Sequence, residues 1–403
     1  MEKYEFTNIF DYLNKGCKKV CSISRGGVLT TNIQVDDFTN SLKDYFDFDF
    51  NGVSKFQQFE TNDIIKNLDF EILCIVGASG SGKTTFAKNF GEMQQITWDN
   101  TKAIISHFKT PKEAIEKLNA CGLSSVPTWC KPRNVLSIGE GFRADLARQL
   151  NDNCIIDEFT SNVDRNVALS CANSIGKYIR KNHLKKCVFI SCHKDFIDTL
   201  LPDYVIDLDE ECVYDTRGLE RRQFNLQMYV GENKRRTWNI FGKHHYMSQD
   251  INLASTLYTL YFNKDIVGCC YILPIFNGFI QNGWRIHRLV IKPDYQGLGF
   301  GTRFLETICN LYTYYNAKMY IRTSHEKLRQ YFEKHVELWQ PTKRNGTNDY
   351  HVGGKMWVCK NAIAYSYKYI GQFKIDNIDY TKVDIYQNQK VKTKQNYEIQ
   401  TLL

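Results

Sequence analysis

One octapeptide constrains this chain more than any other stretch. It is Gly77-Ala78-Ser79-Gly80-Ser81-Gly82-Lys83-Thr84, placed directly after the apolar run Ile72-Leu73-Cys74-Ile75-Val76. The run reads as a buried strand, and the residues from Thr85 to Phe90 read as a helix. A chain passing from a buried strand through closely spaced glycines into a helix points successive main-chain N–H groups at one place. That place is a helix N-terminus, where the dipole favours negative charge. Lys83 and Thr84 add an ammonium and a hydroxyl where a polyphosphate and its metal ion need them. A flexible Gly-Ser linker accounts for the glycines but not for the Lys-Thr pair. An α/β domain with a phosphate site built from Gly77, Ser79, Gly80, Gly82, Lys83, Thr84 and Thr85 is therefore expected.

Three later segments refine the class. Leu136-Ser137-Ile138-Gly139-Glu140 leads into the amphipathic stretch Arg143 to Arg148. Cys154-Ile155-Ile156-Asp157-Glu158 is a short apolar strand ending in two carboxylates, with Ser161-Asn162-Val163-Asp164 close behind, and Ile190-Ser191-Cys192-His193 closes another apolar run. Each fragment alone has an ordinary explanation: a solvated turn, a capped helix, a structural histidine. Their order after the phosphate loop resembles the ABC-type ATPases, with a P-loop, a signature motif, a Walker B strand, a D-loop and an H-loop. The resemblance implies ATP and Mg²⁺ as cofactors. Thr84 and Asp157 would hold the metal, Glu158 would act as general base on water, and His193 would contact the γ-phosphate. Ser137 and Gly139 would cap the nucleotide of a second copy, which implies a homodimer through the ATPase domains. The sequence departs from the family pattern at Ile138, where a second glycine is common and a side chain should crowd the loop. Gln94 and Gln95 come too soon after the P-loop to serve as a Q-loop.

From Gln223 the character changes. Phe224 to Val230 alternates as a half-buried strand does, and the strand Trp284 to Lys292 feeds a second glycine turn, Gln296-Gly297-Leu298-Gly299-Phe300-Gly301, ahead of a helix from Thr302 to Tyr314. This turn is an anion site by the same physics, without the Lys-Thr that a nucleotide triphosphate requires. The string from Arg288 to Gly301 resembles motif A of the GNAT acetyltransferases. That resemblance implies acetyl-CoA as cofactor, Gln296, Gly297, Gly299 and Gly301 at its pyrophosphate, and Val290 and Ile291 along the pantetheine slot of a splayed strand. A dinucleotide site expects its glycines early in a βαβ unit and an acidic residue about twenty positions on, and neither is present. The resemblance also places Tyr331 as the acid that reprotonates the CoA thiolate; a tyrosine in an amphipathic helix is otherwise simple packing. His287 and the pair His244-His245 are candidate bases. Trp238, Phe241, His244, His245 and Tyr246 read as a substrate-facing cluster ahead of a helix beginning near Ser248.

Taken whole, the chain resembles ABC-type ATPases fused to a C-terminal GNAT-like acetyltransferase, found in prokaryotes and their viruses. The likeness rests on Leu123 to Trp129, Asp157 to Arg165 and Phe241-x-x-His244-His245-Tyr246, and spans roughly residues 60 to 345. The expected fold is α/β: a P-loop NTPase domain of ABC type followed by an α+β GNAT domain. The expected boundaries are 1–55 (an extension without assigned role), 56–216 (ATPase), 217–375 (acetyltransferase) and 376–403 (tail). Phe46 to Phe50 alternates like an edge strand, and the last thirty or so residues should pack as strands and then fray.

A length of 403 residues accommodates two or three domains. Lys+Arg 52 against Asp+Glu 44 leaves +8, with Arg217, Arg221-Arg222 and Lys234-Arg235-Arg236 clustered near the expected junction. Such clusters are either a solvated face or contacts for nucleic-acid phosphates. The 14 cysteines include no Cys-x-x-Cys pair, which points to a reducing cytoplasm rather than a disulfide framework or structural metal. No apolar run is long enough to span a membrane. The resemblances imply a bifunctional enzyme, an ATPase coupled to an acyl-CoA-dependent N-acyltransferase; the basic junction favours nucleic acid as acceptor, and the cysteine usage a cytoplasmic location. The competing readings are a protein lysine acetyltransferase with an ATPase switch, and a non-enzymatic, CoA-sensing clamp.

Overall fold

A computed structural model describes residues 9–222, 224, 226–230, 233–245, 251–262, 264–276, 280–347, 349–352, 355–358, 363–371 and 396–399. The chain divides into two compact units, Met1–Arg222 and Gln223–Leu403.

The first unit runs α1 (Ile9–Asn14), β1 (Lys18–Ser22), β2 (Arg25–Asn32), α2 (Asp37–Phe46), β3 (Val53–Phe59), α3 (Asp63–Lys66), β4 (Ile72–Val76), α4 (Lys83–Ala87), α5 (Pro111–Ala120), α6 (Val126–Trp129), α7 (Ile138–Gln149), β5 (Ile155–Ile156), α8 (Arg165–Asn182), β6 (Cys187–Ser191), α9 (Ile197–Leu200), β7 (Tyr204–Asp207) and β8 (Cys212–Asp215). One six-stranded sheet in the order β1-β8-β7-β4-β6-β5 carries it. β4 lies parallel to both β6 and β7, and β5 parallel to β6. Parallel strands covered on both faces read as unbroken apolar runs, and every residue of β4 and β6 is buried. Leu73, Ile75, Phe86, Val188, Ile190 and Ile206 share one core beneath the sheet. β1 joins the antiparallel edge beside β8, so residues from the first 55 complete this sheet.

The alternating run Phe46 to Phe50 is not a strand. The Asp36 carboxylate accepts the Thr39 N–H at 2.9 Å while the Thr39 hydroxyl accepts the Asp36 N–H, a reciprocal cap that starts α2. The helix runs to Phe46 and closes with Asp47 in the left-handed region (φ 53°). The helix expected from Thr85 begins at Lys83 and passes into a short 3₁₀ turn, Lys88–Phe90.

The second unit contains β9 (Leu226–Val230), α10 (Lys234–Phe241), β10 (Thr256–Phe262), β11 (Asp265–Pro274), β12 (Gly283–Ile291), α11 (Phe300–Tyr314), β13 (Lys318–Thr323), α12 (Glu326–Lys334), β14 (Trp339–Pro341), β15 (Asp349–Val352), β16 (Lys355–Val358), β17 (Tyr365–Tyr369) and β18 (Asn396–Ile399). Its sheet has the order β14-β17-β13-β12-β11-β10-β9-β18, antiparallel except for β12 with β13. Of the expected tail, β18 pairs with β9, whereas 376–395 and 400–403 lie outside the described residues, as do Tyr246 and Ser248.

Candidate phosphate loop and candidate acyl-transfer site

In the first unit the chain leaves the buried end of β4 through Gly77 (φ 156°), Gly80 (φ 78°) and Gly82 (φ 91°), conformations that favour glycine. Gly82 caps α4 without a side-chain hydrogen bond. The Lys83 ammonium folds over the loop and donates to the carbonyls of Gly77 at 2.8 Å and Ala78 at 2.6 Å. The Thr84 hydroxyl donates to the Asp157 carboxylate at 2.8 Å, and the other oxygen of Asp157 accepts the Glu158 N–H at 2.8 Å. Glu158 sits at φ 50° on an exposed turn. The Ser191 hydroxyl donates to the Phe159 carbonyl at 2.8 Å and accepts the His193 N–H at 3.0 Å, which ties the Glu158 turn to the histidine loop. Lys83, Thr84, Asp157, Glu158 and His193 therefore all follow the carboxyl ends of three neighbouring parallel strands, the edge at which open α/β sheets bind ligands.

The loop fits a phosphate. The Ser81 hydroxyl is buried without a hydrogen-bond partner, and buried polar atoms are ordinarily paired. Ser79 is exposed on the loop and Thr85 half-buried on the first turn of α4. Phe56 on β3, to which no sequence signal pointed, lies against the loop: a Cβ on Gly82 would stand 2.8 Å from its ring.

Ser137 and Gly139 form a separate group with their own neighbours. Ser137 caps α7, its hydroxyl accepting the Glu140 N–H at 3.3 Å while Glu140 accepts both the Ser137 N–H and hydroxyl. Gly139 abuts the Asn162 carbonyl, 3.6 Å from where a Cβ would stand. Ile138, expected to crowd this turn, instead points outward with 79% of its surface exposed.

In the second unit, β12 pairs with β13 only from Gly283 to Arg285, after which the two strands part. Gly297 (φ 91°) and Gly299 (φ 83°) then turn the chain into α11, whose N-terminus carries no side-chain cap. The Gln296 amide donates to the Ile291 carbonyl at 2.9 Å and braces the turn. No atom lies within 4 Å of a Cβ placed on Gly299, so the space above the helix end is open. A Cβ on Gly301 would come within 3.3 Å of Ile291. Val290 and Ile291 are buried, Val290 in a cluster with Trp238, Phe241, Leu257, Cys269 and Tyr271. Along the parted edge they can offer main-chain groups rather than side chains.

Among the candidate bases, the His287 Nε2 accepts the Asn252 N–H at 3.3 Å, which leaves the ring proton on Nδ1. Burial, then the nearby arginines Arg288 and Arg285, push His287 down to about 4; burial and Arg288 do the same to His245. Burial and Lys243 lower His244. The ring of His245 lies 5.8 Å from that of Trp238. Tyr331 on α12 has its ring 4.4 Å from that of His335, while the adjacent Phe332 is fully buried against Trp339 and Tyr367. Glu306 on α11 was not singled out by the sequence, although a charged pair Arg303/Glu306 in an apolar helix is visible there. Its Oε1 is buried without a partner, and burial pushes the carboxyl up to about 7, with Glu337 adding to the shift and His335 and Arg303 opposing it.

The basic cluster near the junction is partly consumed inside the first unit. Arg217 pairs with Asp215, Arg222 with buried Asp198 at 2.9 Å, and Arg221 with Asn173. Among the described residues no group of three or more His, Cys, Asp or Glu side chains could hold a metal ion, and no helix is long and apolar enough to cross a membrane.

Residues 254–335, which hold the parting strands, the glycine turn, α11 and α12, match the acetyltransferase (GNAT) domain family. This segment is a GNAT domain. Solved structures similar to it include a Bacillus subtilis acetyltransferase in complex with CoA, at 15% identity over 35% of this chain and 97% of that one, with a TM-score of 0.28. The ribosomal-protein-S18-alanine N-acetyltransferase of Escherichia coli is similar at 10% identity over 36% and 92%, with a TM-score of 0.28. So is the spermidine N-acetyltransferase of Vibrio cholerae, at 15% over 36% and 94%, with a TM-score of 0.28. No curated protein matches the chain.

Proposed function

We propose that this chain joins an ATP-hydrolysing unit of ABC type to an acetyl-CoA-dependent N-acetyltransferase whose acceptor is an amine on nucleic acid. The parting of β12 from β13 beside the uncapped N-terminus of α11, inside the GNAT domain, carries the acetyl-transfer reading. Gly297, Gly299 and Gly301 leave room for the pyrophosphate of acetyl-CoA, and the free edge of β12 is available to its pantetheine arm. The amine nitrogen attacks the thioester carbonyl carbon and the C–S bond breaks. The amine proton passes to a neutral imidazole, His287 and the pair His244-His245 being the candidates, each lowered by burial. The departing thiolate takes its proton from Tyr331.

The contact between Thr84 and Asp157 supports the ATPase reading. These two residues would hold Mg²⁺, which neutralises charge on the β- and γ-phosphates. Lys83 neutralises phosphate charge directly, Glu158 orients and deprotonates water, and His193 meets the γ-phosphate. In the head-to-tail homodimer of this type, Ser137 and Gly139 of one copy close over the nucleotide of the other.

Charge supports a polyanionic acceptor. α10 and β12 carry Lys234, Arg235, Arg236, Arg285 and Arg288 and no carboxylate. The test compares cells expressing the wild type with cells expressing a Gly299→Glu/Gly301→Glu variant, by mass spectrometry of total nucleosides and of lysine peptides. An acylated nucleoside found only with the wild type is the expected result. Acylated peptides alone would make this a protein acetyltransferase, and no change in either pool would point to a small-molecule acceptor or to a GNAT fold kept for binding alone. DNA-stimulated ATP turnover that falls steeply with salt is the matching result for the first unit.

A further inference from the structure

We propose that the buried carboxylate Asp207 anchors both the phosphate loop and the histidine loop, and that Tyr12 of α1 sets this anchor, so that the N-terminal segment controls nucleotide affinity. The inference rests on reading the first unit as a nucleotide site. Asp207 ends β7 with no exposed surface. Its Oδ2 accepts the Tyr12 hydroxyl at 2.8 Å, and its two oxygens accept the Lys194 ammonium at 2.9 and 2.7 Å. The main-chain N–H groups of Asp209 and Glu210 reach Oδ1 at 3.1 and 3.3 Å. A carboxylate offers about four acceptor directions, so the site is saturated.

Two branches leave this anchor. Lys194 follows His193 directly, and holding its ammonium on Asp207 fixes the position of the histidine loop. The same ammonium lies 3.1 Å from Asp209, whose other oxygen accepts the Ala78 N–H of the phosphate loop at 2.8 Å. The path Tyr12–Asp207–Lys194–Asp209–Ala78 thus runs from the N-terminal helix to the second residue of the phosphate loop. The only cation in that path bridges two carboxylates. Loss of the Tyr12 hydroxyl removes a donor from the buried Asp207, which then draws harder on Lys194 and weakens its hold on Asp209. Charge-assisted bonds of this kind are the stronger class, so the effect should be measurable at the loop. Tyr12 also stacks on Tyr214, ring centroids 4.2 Å apart and 9° from parallel, so its ring has a seat independent of the hydroxyl.

The experiment uses the full chain with Mg²⁺ and mant-ATP as probe, reading its dissociation constant by fluorescence together with KM and kcat for ATP and the urea midpoint. Tyr12→Phe and Asp209→Asn should each raise the dissociation constant and KM roughly three- to tenfold, with kcat changed less, and the double variant should be less than additive. Tyr214→Phe, which alters no member of the path, should bind as the wild type does. Wild-type affinity in a folded Tyr12→Phe variant overturns the proposal. Should Tyr12→Phe fail to fold, wild-type affinity in Asp209→Asn overturns it instead. A wild type that does not bind mant-ATP refutes the nucleotide site itself, and is distinguished by that result alone.

Discussion

The hydroxyl of Thr84 donates to the carboxylate of Asp157 at 2.8 Å across 73 positions of sequence. The loop after β4 and the turn after β5 are thereby brought to one point, beside Glu158. Glu158 itself stands at φ 50°, a left-handed conformation that disfavours any residue with a Cβ.

Glu158 should therefore separate activity from stability. Glu158→Gln keeps shape and backbone preference, so ATP binding and the urea midpoint should persist while phosphate release falls at least about a hundredfold. Glu158→Gly should abolish release equally but stabilise the fold by about 1 kcal/mol, since glycine adopts positive φ without strain. Phosphate-release kinetics beside urea titrations of the three proteins check this. Unchanged turnover in either variant would remove Glu158 from the mechanism.

Gly299 poses the converse case in the GNAT domain. Its φ of 83° penalises any side chain, while nothing lies within 4 Å of an added Cβ. Gly299→Ala should lose about 1 kcal/mol of stability and leave CoA affinity within a few-fold. Gly299→Glu, with a similar backbone penalty, places a carboxylate at the helix end and should weaken CoA more than tenfold. Calorimetric titration of both variants with CoA decides whether charge or backbone matters there.

Glu306 should make stability depend on pH. Its carboxyl is pushed up to about 7 from an ordinary value of 4.5, chiefly by burial. A group raised in the folded state stabilises fully below its unfolded value and loses that contribution as pH rises through the folded one. Glu306→Gln stays neutral throughout. The variant should match the wild type near pH 4 and exceed it by about 1–2 kcal/mol at pH 8, allowing for solvent at a half-buried site. The charged neighbours acting on Glu306 are Arg303 on its own helix, and His335 and Glu337 beyond the end of α12. Urea midpoints measured from pH 4 to 8 give the curve, and parallel curves would contradict the assignment.

What could be read ahead of the structure follows from range. The candidate phosphate loop and the glycine turn before α11 are local motifs, because the backbone conformation of each is demanded by glycines a few residues apart. The Asp207 anchor joins Tyr12 to a carboxylate 195 positions away, and nothing in either neighbourhood announces the other. Phe46 to Phe50 misled because its alternation suits a strand, while the Asp36–Thr39 cap one helix-length upstream starts a helix that takes in Phe46 and closes at Asp47. Glu306 became conspicuous only once folding buried its Oε1 without a partner. At Ile138 the outward-facing turn removes the crowding that a glycine-rich pattern implies.

Tyr331 and Phe332 are neighbours in sequence that should behave oppositely on mutation. Phe332 has no exposed surface and packs with ring centroids 4.3 Å from Trp339 and 4.8 Å from Tyr367. Phe332→Ala opens a cavity between α12 and the sheet, and should cost about 3–5 kcal/mol, with activity falling only as the folded fraction falls. Tyr331 is partly exposed and rests on His335, so Tyr331→Phe removes one oxygen from a half-open position. Its midpoint should move by less than about 0.5 kcal/mol. If its hydroxyl returns the proton to the CoA thiolate, kcat for acetyl transfer should fall about a hundredfold with CoA affinity kept. Thiol release followed in both variants, normalised to folded protein, separates the two roles. Full activity in Tyr331→Phe would transfer the acid role to another group, and Glu306 would be the next carboxyl to replace.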